Sequence, residues 1–401
     1  MNLIPALKSG RWLTLMGAWL HFEVSFMVWL LVGALALAIA EEFHLSPSEQ
    51  GLLVALPLLG GALLRIPIGV WSDRLGAKRV GLWLLAGQLL ALLWGWTGVS
   101  GQAGLFVMVF LLGMAGASFA VALPLAGQAY PPASRGLAMG IAGSANSGIV
   151  LALLIAPRLV DSLGWRGVFG VMAVIVLLTS VVFGALVERD PPRTGEGVIP
   201  QRLLVTMRRP SIYGLCGLYA VTFGGFVGLS SYLPILFKEQ YDLSMVEAAT
   251  LAAMCGLGGS LIRPVGGFLA DRVGTFPLLR LLLPGAALLL LSASRLPPVA
   301  AMAILCVAIV TIFGCGNGVV FKLVGDRFAD QIGAATGVIG AAGALGGFLL
   351  PLLFGVLTER FGSPQAAFLV VGTVVLMAAL AVWHKKLQPA PDLNRVGSFS
   401  H

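Results

Sequence analysis

Long apolar stretches alternate with short polar turns along the whole chain. Twelve of these stretches contain about 20 residues, which is enough for a helix to cross a hydrocarbon core of roughly 30 Å. The ten-residue segments of alternating apolar and polar residues that mark a membrane β-barrel are absent from the sequence. We therefore predict an all-α integral membrane protein with transmembrane helices near 12–40, 51–71, 79–99, 104–129, 136–157, 167–187, 211–237, 245–270, 277–294, 299–321, 332–357 and 364–384.

Composition excludes an ordinary soluble domain, because 58% of the 401 residues are hydrophobic and only 10% are charged. The first apolar stretch is too long for a removable signal peptide and lacks a small-residue cleavage site, so we interpret it as span 1. The four cysteines all fall within predicted spans without metal-ligand spacing. We expect them to pack in the core, and we predict neither a metal nor a cofactor.

The distribution of positive charge predicts the topology. If the N-terminus is cytoplasmic, inward segments hold 18 of the 25 Lys and Arg residues, outward segments hold five, and Arg65 and Arg263 lie inside spans. This asymmetry predicts a protein of the cytoplasmic membrane with both termini in the cytoplasm. The net charge of +8 then follows from topology and from contact with anionic lipid headgroups, so no nucleic-acid partner is expected.

The chain repeats itself. A shift of 198 residues aligns span 2 with span 8, and a fainter match at a shift of 197 aligns span 5 with span 11. Two parallel six-span repeats predict a carrier with a site near mid-membrane. The predicted bundles are 1–187 and 211–384, with a cytoplasmic linker at 188–210 and a cytoplasmic tail at 385–401. The first match pairs Gly61 with Gly259, Leu63 with Leu261, Arg65 with Arg263, Gly69 with Gly267, Asp73 with Asp271, Arg74 with Arg272 and Gly76 with Gly274.

The turn after span 2 reads GVWSDRLGAKR at 69–79, and a degenerate copy, GFLADRVG, follows span 8 at 267–274. This pattern resembles the turn motif of the major facilitator superfamily, which implies two six-helix bundles. Its glycines allow close helix packing, and its charges can form a cluster that holds one conformation. A loop that only obeys the positive-inside rule is the alternative. The gating candidates are Gly69, Asp73, Arg74, Gly76, Lys78, Arg79, Asp271 and Arg272.

Two arginines lie deep in the predicted spans. Arg65 precedes Asp73 by eight residues, so it lies about 12 Å from the turn, and Arg263 has the same depth. An unpaired guanidinium in hydrocarbon costs a few kcal/mol or more, so we expect both to face a shared cavity. Glu23 is the only clear carboxylate at such depth, which leaves positive charge for an anionic substrate. Alternatively, both arginines pair structurally with backbone carbonyls or with Glu23.

The arginines occur together with glycine-rich segments at 142–159 and 337–351, and with GMAGASFAVALPLAG at 113–127. The combination resembles the nitrate/nitrite porter family over essentially the whole chain. Nitrate is small and planar, and a guanidinium fork matches two of its oxygens. The resemblance implies substrate contacts for Arg65, Arg263, Asn146, Tyr219, Phe119 and Phe223, with Phe22 and Phe26 as weaker candidates. For the aromatic residues, ordinary core packing is the alternative.

Some residues depart from the family pattern. Alanine precedes Asn146 where glycine is expected, and Lys322 replaces an uncharged polar residue in span 10. Snorkelling to the cytoplasmic surface explains Lys322. His21 and Glu23 place two titratable groups near the pathway, which anion exchange does not require. They are candidates for proton coupling, and a permanent structural hydrogen bond of Glu23 is the alternative.

The sequence thus predicts a secondary carrier, expected to be a monomer, that moves nitrate, nitrite or both by alternating access. Either nitrate/nitrite antiport or proton-coupled symport fits. A carrier for another small anion, such as a carboxylate or cyanate, is the nearest alternative. A receptor is disfavoured because no soluble signalling domain appears, and a channel because the repeat implies alternating closure. No nucleophile with its base, metal cluster or phosphate loop indicates an enzyme.

Overall fold

The computed structural model describes residues 9–188, 206–328 and 332–383, which are almost entirely helical. Within these residues, eleven helical segments are long and apolar enough to cross a membrane. The fifth, Ala138–Leu186, contains two crossings, because Gly164 has φ 65° and ψ 166° and interrupts the helix. The twelve predicted spans are therefore confirmed, with every boundary within six residues of its prediction.

We number the transmembrane helices α1 to α12. The helices of the first half are α1 (Trp12–Phe43), α2 (Pro47–Leu75), α3 (Ala77–Thr97), α4 (Gly101–Gln128), α5 (132–163) and α6 (165–186). The helices of the second half are α7 (Ser211–Tyr241), α8 (Met245–Val273), α9 (Thr275–Ala293), α10 (Val299–Arg327), α11 (Ile332–Phe361) and α12 (Gln365–Trp383). Most of the predicted linker at 188–210 and all of the tail at 385–401 lie outside the described residues.

Equivalent helices of the two halves begin with the same signal. The Ser46 side chain caps α2 while the Glu49 side chain returns to the Ser46 backbone N–H, which is a complete capping box. Ser244 and Glu247 form the same capping box at the start of α8. Each box satisfies two backbone donors that a helix start leaves open. The two boxes are 198 residues apart, so the internal repeat extends to helix initiation.

The same helices also end alike. Gly76 follows α2 with φ 94°, and Gly274 follows α8 with φ 89°. Only glycine adopts such angles without steric cost, and this allows the tight turn that leads into α3 or α9. These turns lie at the face where α1 begins and α12 ends, which we call the termini face. The other face is called the opposite face.

The halves pack most extensively through α11, which contacts α2 of the first half and α7 of its own half. The contact with α2 is glycine-mediated, since a Cβ atom on Gly51 would lie 2.6 Å from the Pro351 carbonyl oxygen and 2.9 Å from the Gly355 Cα. Small residues at such crossings let helix backbones approach closely in a membrane. The α2–α11 contact therefore joins the two bundles toward the opposite face.

Hydrogen bonds add to this contact at the opposite face. The backbone N–H of Ser48 in α2 donates to Oε2 of Glu359 in α11, 2.9 Å away, and the Ser48 hydroxyl donates to the same oxygen. Nη2 of Arg158 in α5 donates to Oγ1 of Thr250 in α8, 3.0 Å away. In this conformation the two halves are therefore closed against each other at the opposite face.

Candidate substrate site between the two halves

Arg65 lies at the junction of the halves and is 1% exposed. Its Nε donates to the carbonyl oxygen of Gly116, 3.0 Å away, in the segment Gly113–Ser118 where α4 tightens into a 3₁₀ turn. Its Nη1 donates to the carbonyl oxygen of Gly340 in α11. Backbone carbonyls of both halves thus orient the guanidinium group. Pairing with backbone carbonyls was one of the structural alternatives stated for this arginine.

Aromatic rings surround the same guanidinium group. Its Cζ lies 5.1 Å from the ring centroid of Trp29, 5.2 Å from that of Phe119 and 5.3 Å from that of Phe223. Rings within about 6 Å of a cation stabilise it through their quadrupoles, by about 2 kcal/mol when the contact is desolvated. These contacts offset part of the cost of burying an arginine that has no carboxylate beside it.

Arg263 is less buried than Arg65 and approaches the same aromatic cluster from α8. Its Nη2 donates to the Tyr219 hydroxyl at 3.3 Å, and its Cζ lies 5.2 Å from the ring centroid of Phe321 in α10. Its Nη1 is buried and has no hydrogen-bond partner among the described residues. The two N–H groups of Nη1 therefore remain available to a ligand.

Two chains of rings join the arginines. In one chain, Tyr219 stacks on Phe223 with centroids 4.9 Å apart and an interplanar angle of 10°. In the other, the edge contact between Phe119 and Phe321 measures 5.7 Å between centroids and crosses from α4 to α10. Each chain has one end at Arg65 and the other at Arg263. Five of the six predicted substrate residues therefore form one cluster: Arg65, Arg263, Tyr219, Phe223 and Phe119.

The cluster carries uncompensated positive charge. Neither Arg65 nor Arg263 forms an ion pair with any carboxylate in the part of the chain that the structure describes. Isolated buried cations are costly in a low-dielectric medium, and an anion bound between them lowers that cost. The arrangement is therefore suited to a small anion that accepts hydrogen bonds and packs against aromatic rings.

Asn146 lies in the 3₁₀ turn Ser144–Ser147 of α5, which packs against α1 and α8. The residue is 1% exposed, and neither Nδ2 nor Oδ1 has a hydrogen-bond partner among the described residues. A buried amide with neither atom paired inside the protein is rare, and such a group is suited to hydrogen-bond a ligand or a water. Asn146 thus offers a donor and an acceptor at the interface of the halves.

Glu23 and His21 occupy different surroundings. Ser147 Oγ donates to the Glu23 carboxylate and lies 2.8 Å from Oε2 and 3.1 Å from Oε1, so Glu23 bonds to α5 and not to either arginine. Nε2 of His21 lies 3.2 Å from the Gly81 carbonyl oxygen in α3, and its ring packs on Phe183 of α6. His21 is therefore held inside the first bundle, apart from the arginine cluster.

The weaker aromatic candidates lie at the border of the cluster. Phe22 contacts Phe119 edge-on with centroids 5.9 Å apart, and Phe26 contacts Trp29 at 5.4 Å. Neither ring lies against an arginine in the part of the chain that the structure describes. Phe22 and Phe26 therefore support the rings that do.

The second copy of the turn motif forms a charge cluster at the termini face. Lys322 of α10 pairs with Asp271 of α8 at 2.9 Å and with Asp326 at 3.0 Å. The guanidinium of Arg272 lies 4.4 Å from the ring centroid of Phe268. Lys322, for which snorkelling was predicted, also links α10 to α8 through Asp271, while Asp326 lies one turn along α10 itself.

The first copy of the motif shows a different use of glycine from the one expected. A Cβ atom on Gly69 would be 3.8 Å from its nearest non-neighbour atom, the Cβ of Ala120, which is an ordinary contact. Glycine is required instead at Gly61, where a Cβ would lie 2.9 Å from Trp29 Nε1. The absence of a side chain at Gly61 thus leaves room for the Trp29 ring, which packs on Arg65. Asp73 and Lys78 also have interaction partners.

Sequence reasoning missed Trp29, Phe321 and the carbonyl of Gly340. Trp29 follows Phe22 by seven residues, so the helical period places both on one face of α1, and this signal was present in the sequence. Phe321 directly precedes Lys322, and only the charge of Lys322 was considered in that stretch of the sequence. The Gly340 carbonyl is a backbone group and leaves no compositional signal.

The chain is similar to known transporters. The sequence profile of the Major Facilitator Superfamily matches residues 18–324. The probable nitrate/nitrite transporter NarK2 of Mycobacterium tuberculosis is 35% identical over 384 residues, which cover 93% of this chain and 96% of that protein. The nitrite extrusion protein of Bacillus subtilis is 30% identical, with coverage of 94% and 95%. The probable nitrate/nitrite antiporter NarK1 of Thermus thermophilus is 31% identical, with coverage of 90% and 88%.

The fold also matches a solved structure. A bacterial homologue of the human lysosomal transporter Spinster, in an inward-facing and occupied conformation, superimposes with a TM-score of 0.71. The sequences are 19% identical, and the match covers 94% of this chain and 98% of that one. At this identity, the likeness shows a shared fold alone.

Two six-helix bundles with a site between them define a membrane carrier of the alternating-access class. The chain belongs to the major facilitator superfamily and, within it, to the nitrate/nitrite porter family.

Proposed function

We propose that the protein carries nitrate and nitrite across the cytoplasmic membrane by alternating access. One observation carries this proposal: two arginines without carboxylate partners approach one aromatic cluster from opposite halves of the protein. The names of the relatives support the choice of anion. The positive-inside charge distribution of the chain supports an orientation with both termini in the cytoplasm.

Nitrate and nitrite suit the chemistry of this cluster. Each is monovalent and planar, so its charge is offset by the arginines while its faces pack against rings such as Phe119 and Phe223. Arg263 Nη1 and the amide of Asn146 supply donors that have no partner among the described residues. Charge-assisted hydrogen bonds of this kind are about twice as strong as neutral ones.

Alternating access explains why the site contains groups from both halves. Arg65 of the first half bonds to Gly340 of the second, and the halves are closed at the opposite face. Rocking of one bundle against the other opens that face and breaks these contacts. The same motion exposes the arginine cluster to each side in turn, so the protein acts as a carrier and not as an enzyme.

Counterflow of labelled nitrate in proteoliposomes tests the proposal. Vesicles preloaded with unlabelled nitrate or nitrite are expected to accumulate labelled nitrate transiently, whereas vesicles preloaded with chloride are not. Formate, acetate and cyanate are added outside as competitors. Uptake blocked by cyanate or a carboxylate at lower concentration than by nitrite would assign the carrier to that anion instead.

We further propose that Glu23 binds the coupling proton when transport is driven by a pH gradient. Glu23 is 4% exposed and accepts hydrogen bonds from the Ser147 hydroxyl and the Gly148 backbone N–H, not from a cation. A carboxylate in hydrocarbon favours its neutral form when no cation holds it ionised. We assign no part in coupling to His21, because its ring contacts Gly81 and Phe183 inside the first bundle, whereas Glu23 bonds to the 3₁₀ turn of α5 that packs against α8 of the second half. Transport without proton movement would make anion exchange the mode of the carrier.

A further inference from the structure

Buried polar side chains lie one helical turn from the arginine cluster, on the side of the opposite face. They come from three helices of the second half, and we call them the polar layer: Thr222 in α7, Ser260 in α8 and Asn317 in α10. Thr222 is 1% exposed, Ser260 5% and Asn317 1%. None of the three was singled out by the sequence pattern, because isolated Ser, Thr and Asn residues are common in transmembrane helices.

The spacing along each helix ties the polar layer to the site. Thr222 follows Tyr219 by three residues, and Ser260 precedes Arg263 by three. Residues three or four apart lie on one face of a helix, separated by about one turn. Because α7 and α8 run in opposite directions, both steps lead toward the opposite face. Helix α10 runs in the same direction as α8, so Asn317, which precedes Phe321 by four residues, also lies toward the opposite face.

Tight packing brings these helices together at the level of the polar layer. A Cβ on Gly316 of α10 would lie 2.8 Å from Cγ2 of Thr222, so the methyl group of Thr222 faces α10. Gly256, one turn from Ser260, packs on Ile149 of α5. Ser260 therefore lies where α8 meets the 3₁₀ turn that contains Asn146.

The polar layer is unsatisfied in this conformation. Thr222 Oγ1, Ser260 Oγ and Asn317 Oδ1 are all buried without a hydrogen-bond partner among the described residues. Arg263 Nη1 is likewise buried without a hydrogen-bond partner among the described residues. An unsatisfied buried polar atom is costly, and several unpartnered donors near one site fit a ligand that accepts hydrogen bonds from them. Two hydroxyl donors and one guanidinium donor form a set that fits an oxygen anion.

We propose that Thr222 and Ser260 hold the third oxygen of a trigonal oxyanion and so determine the preference for nitrate over nitrite. The inference rests on the proposed function. A guanidinium fork contacts two oxygens of a planar anion. Nitrate has a further oxygen that points away from the fork, whereas nitrite has none. The hydroxyls one turn beyond Arg263 donate to that oxygen, whereas Asn317 Oδ1 can only accept a hydrogen bond and has no part in holding the anion.

The test compares the transport of both anions by hydroxyl-deletion variants. Thr222→Val keeps the shape of the side chain and its methyl contact with Gly316, and Ser260→Ala removes only the hydroxyl group. In purified full-length protein in proteoliposomes, the KM for nitrate is expected to rise about tenfold in each variant, because a hydrogen bond to a charged ligand is lost. The KM for nitrite is expected to change less than twofold.

Two controls separate specificity from packing. Thr222→Ser keeps the hydroxyl and removes only the methyl group, and it is expected to keep the wild-type ratio of the two KM values. Ser230→Ala removes a hydroxyl that is also buried and without a partner among the described residues, but that lies eight residues further along α7. It is expected to leave both KM values unchanged, since it is about 12 Å from Thr222.

The other outcomes overturn the inference. An equal rise of both KM values in Thr222→Val and Ser260→Ala would mean that the hydroxyls act on oxygens shared by the two anions or on packing. Unchanged values would mean that they hold water only. Wild-type protein that carries neither anion would instead overturn the proposed function, so the two failures are distinguishable.

Discussion

The guanidinium group of Arg65, in the first half, donates its Nη1 hydrogen to the carbonyl oxygen of Gly340 in the second half. The two residues are 275 positions apart in the chain. The proposed anion would accept hydrogen bonds from the same guanidinium group that bonds to Gly340. We therefore expect occupancy of the site to affect a contact between the halves.

Lysine at position 65 or 263 is expected to abolish most nitrate transport while the protein still folds into the membrane. Lysine keeps the charge but loses the planar fork, and at position 65 it cannot reproduce both carbonyl contacts, to Gly116 and Gly340. We expect a fall in nitrate uptake of at least about tenfold, as befits the loss of charge-assisted bonds. Uptake is measured in proteoliposomes with matched protein content.

Arg295→Lys is the control for this pair, because Arg295 is exposed near the opposite face and outside the cluster. It is expected to transport like the wild type. If Arg65→Lys and Arg263→Lys also retain near-normal uptake, the two arginines act as point charges or as structural groups, and bidentate recognition is wrong.

Tyr219→Phe is expected to weaken nitrate binding about three- to tenfold, which is the scale of one hydrogen bond. The variant loses the hydroxyl that accepts from Arg263 Nη2 but keeps the ring stacked on Phe223. Tyr219→Ala removes the stacking as well and is expected to bind far more weakly. Calorimetry on detergent-solubilised protein measures both affinities. Equal loss in the two variants would show that the ring contributes nothing to the site.

Glu23→Gln is expected to remove uptake driven by a pH gradient but to preserve nitrate exchange at equal pH. Glutamine still accepts a hydrogen bond from Ser147, so the contact between α1 and α5 survives, whereas the proton site does not. Accumulation of labelled nitrate with and without a gradient measures the two modes. Ser147→Ala is the companion variant, because it removes the same hydrogen bond while leaving the carboxylate in place. Unchanged gradient-driven accumulation in Glu23→Gln would remove this residue from coupling.

Gly51→Val is expected to prevent closure at the opposite face. A Cβ at this position would come within 2.6 Å of the Pro351 carbonyl oxygen, and backbone atoms of a packed helix cannot yield cheaply. Transport is expected to fall while the yield of folded protein stays near normal, since the open conformation relieves the clash. Labelling of a cysteine introduced at Ser48 reports opening at that face. Gly285→Val, whose added Cβ has its nearest contact at 3.9 Å, is the matched control.

The sequence alone predicted the spans, the repeat and the depth of the two arginines. These features depend on local properties, because the bilayer demands about 20 apolar residues per crossing and lets few charges remain within them. The capping boxes at Ser46 and Ser244 are likewise local, since each satisfies the first backbone donors of its own helix. Hydropathy and spacing were therefore sufficient for the fold.

The partners of the buried charges could not be predicted in the same way. One alternative from the sequence paired Glu23 with the arginines, yet the carboxylate accepts hydrogen bonds from Ser147. His21 has almost the same position along α1, but the helix turns it toward Gly81. A residue changes direction by about 100° per step along a helix, so small differences in rotation decide which neighbour it meets.

The sequence by itself determined that this protein is a twelve-helix carrier with two deep arginines. Only the tertiary structure decided that Arg65 takes the carbonyl of Gly340 and that Phe119 meets Phe321 across the halves. Contacts between residues that are distant in the chain depend on the tilt, rotation and close approach of whole helices. Those are set by the packing of many side chains together, and no short stretch of sequence contains that information.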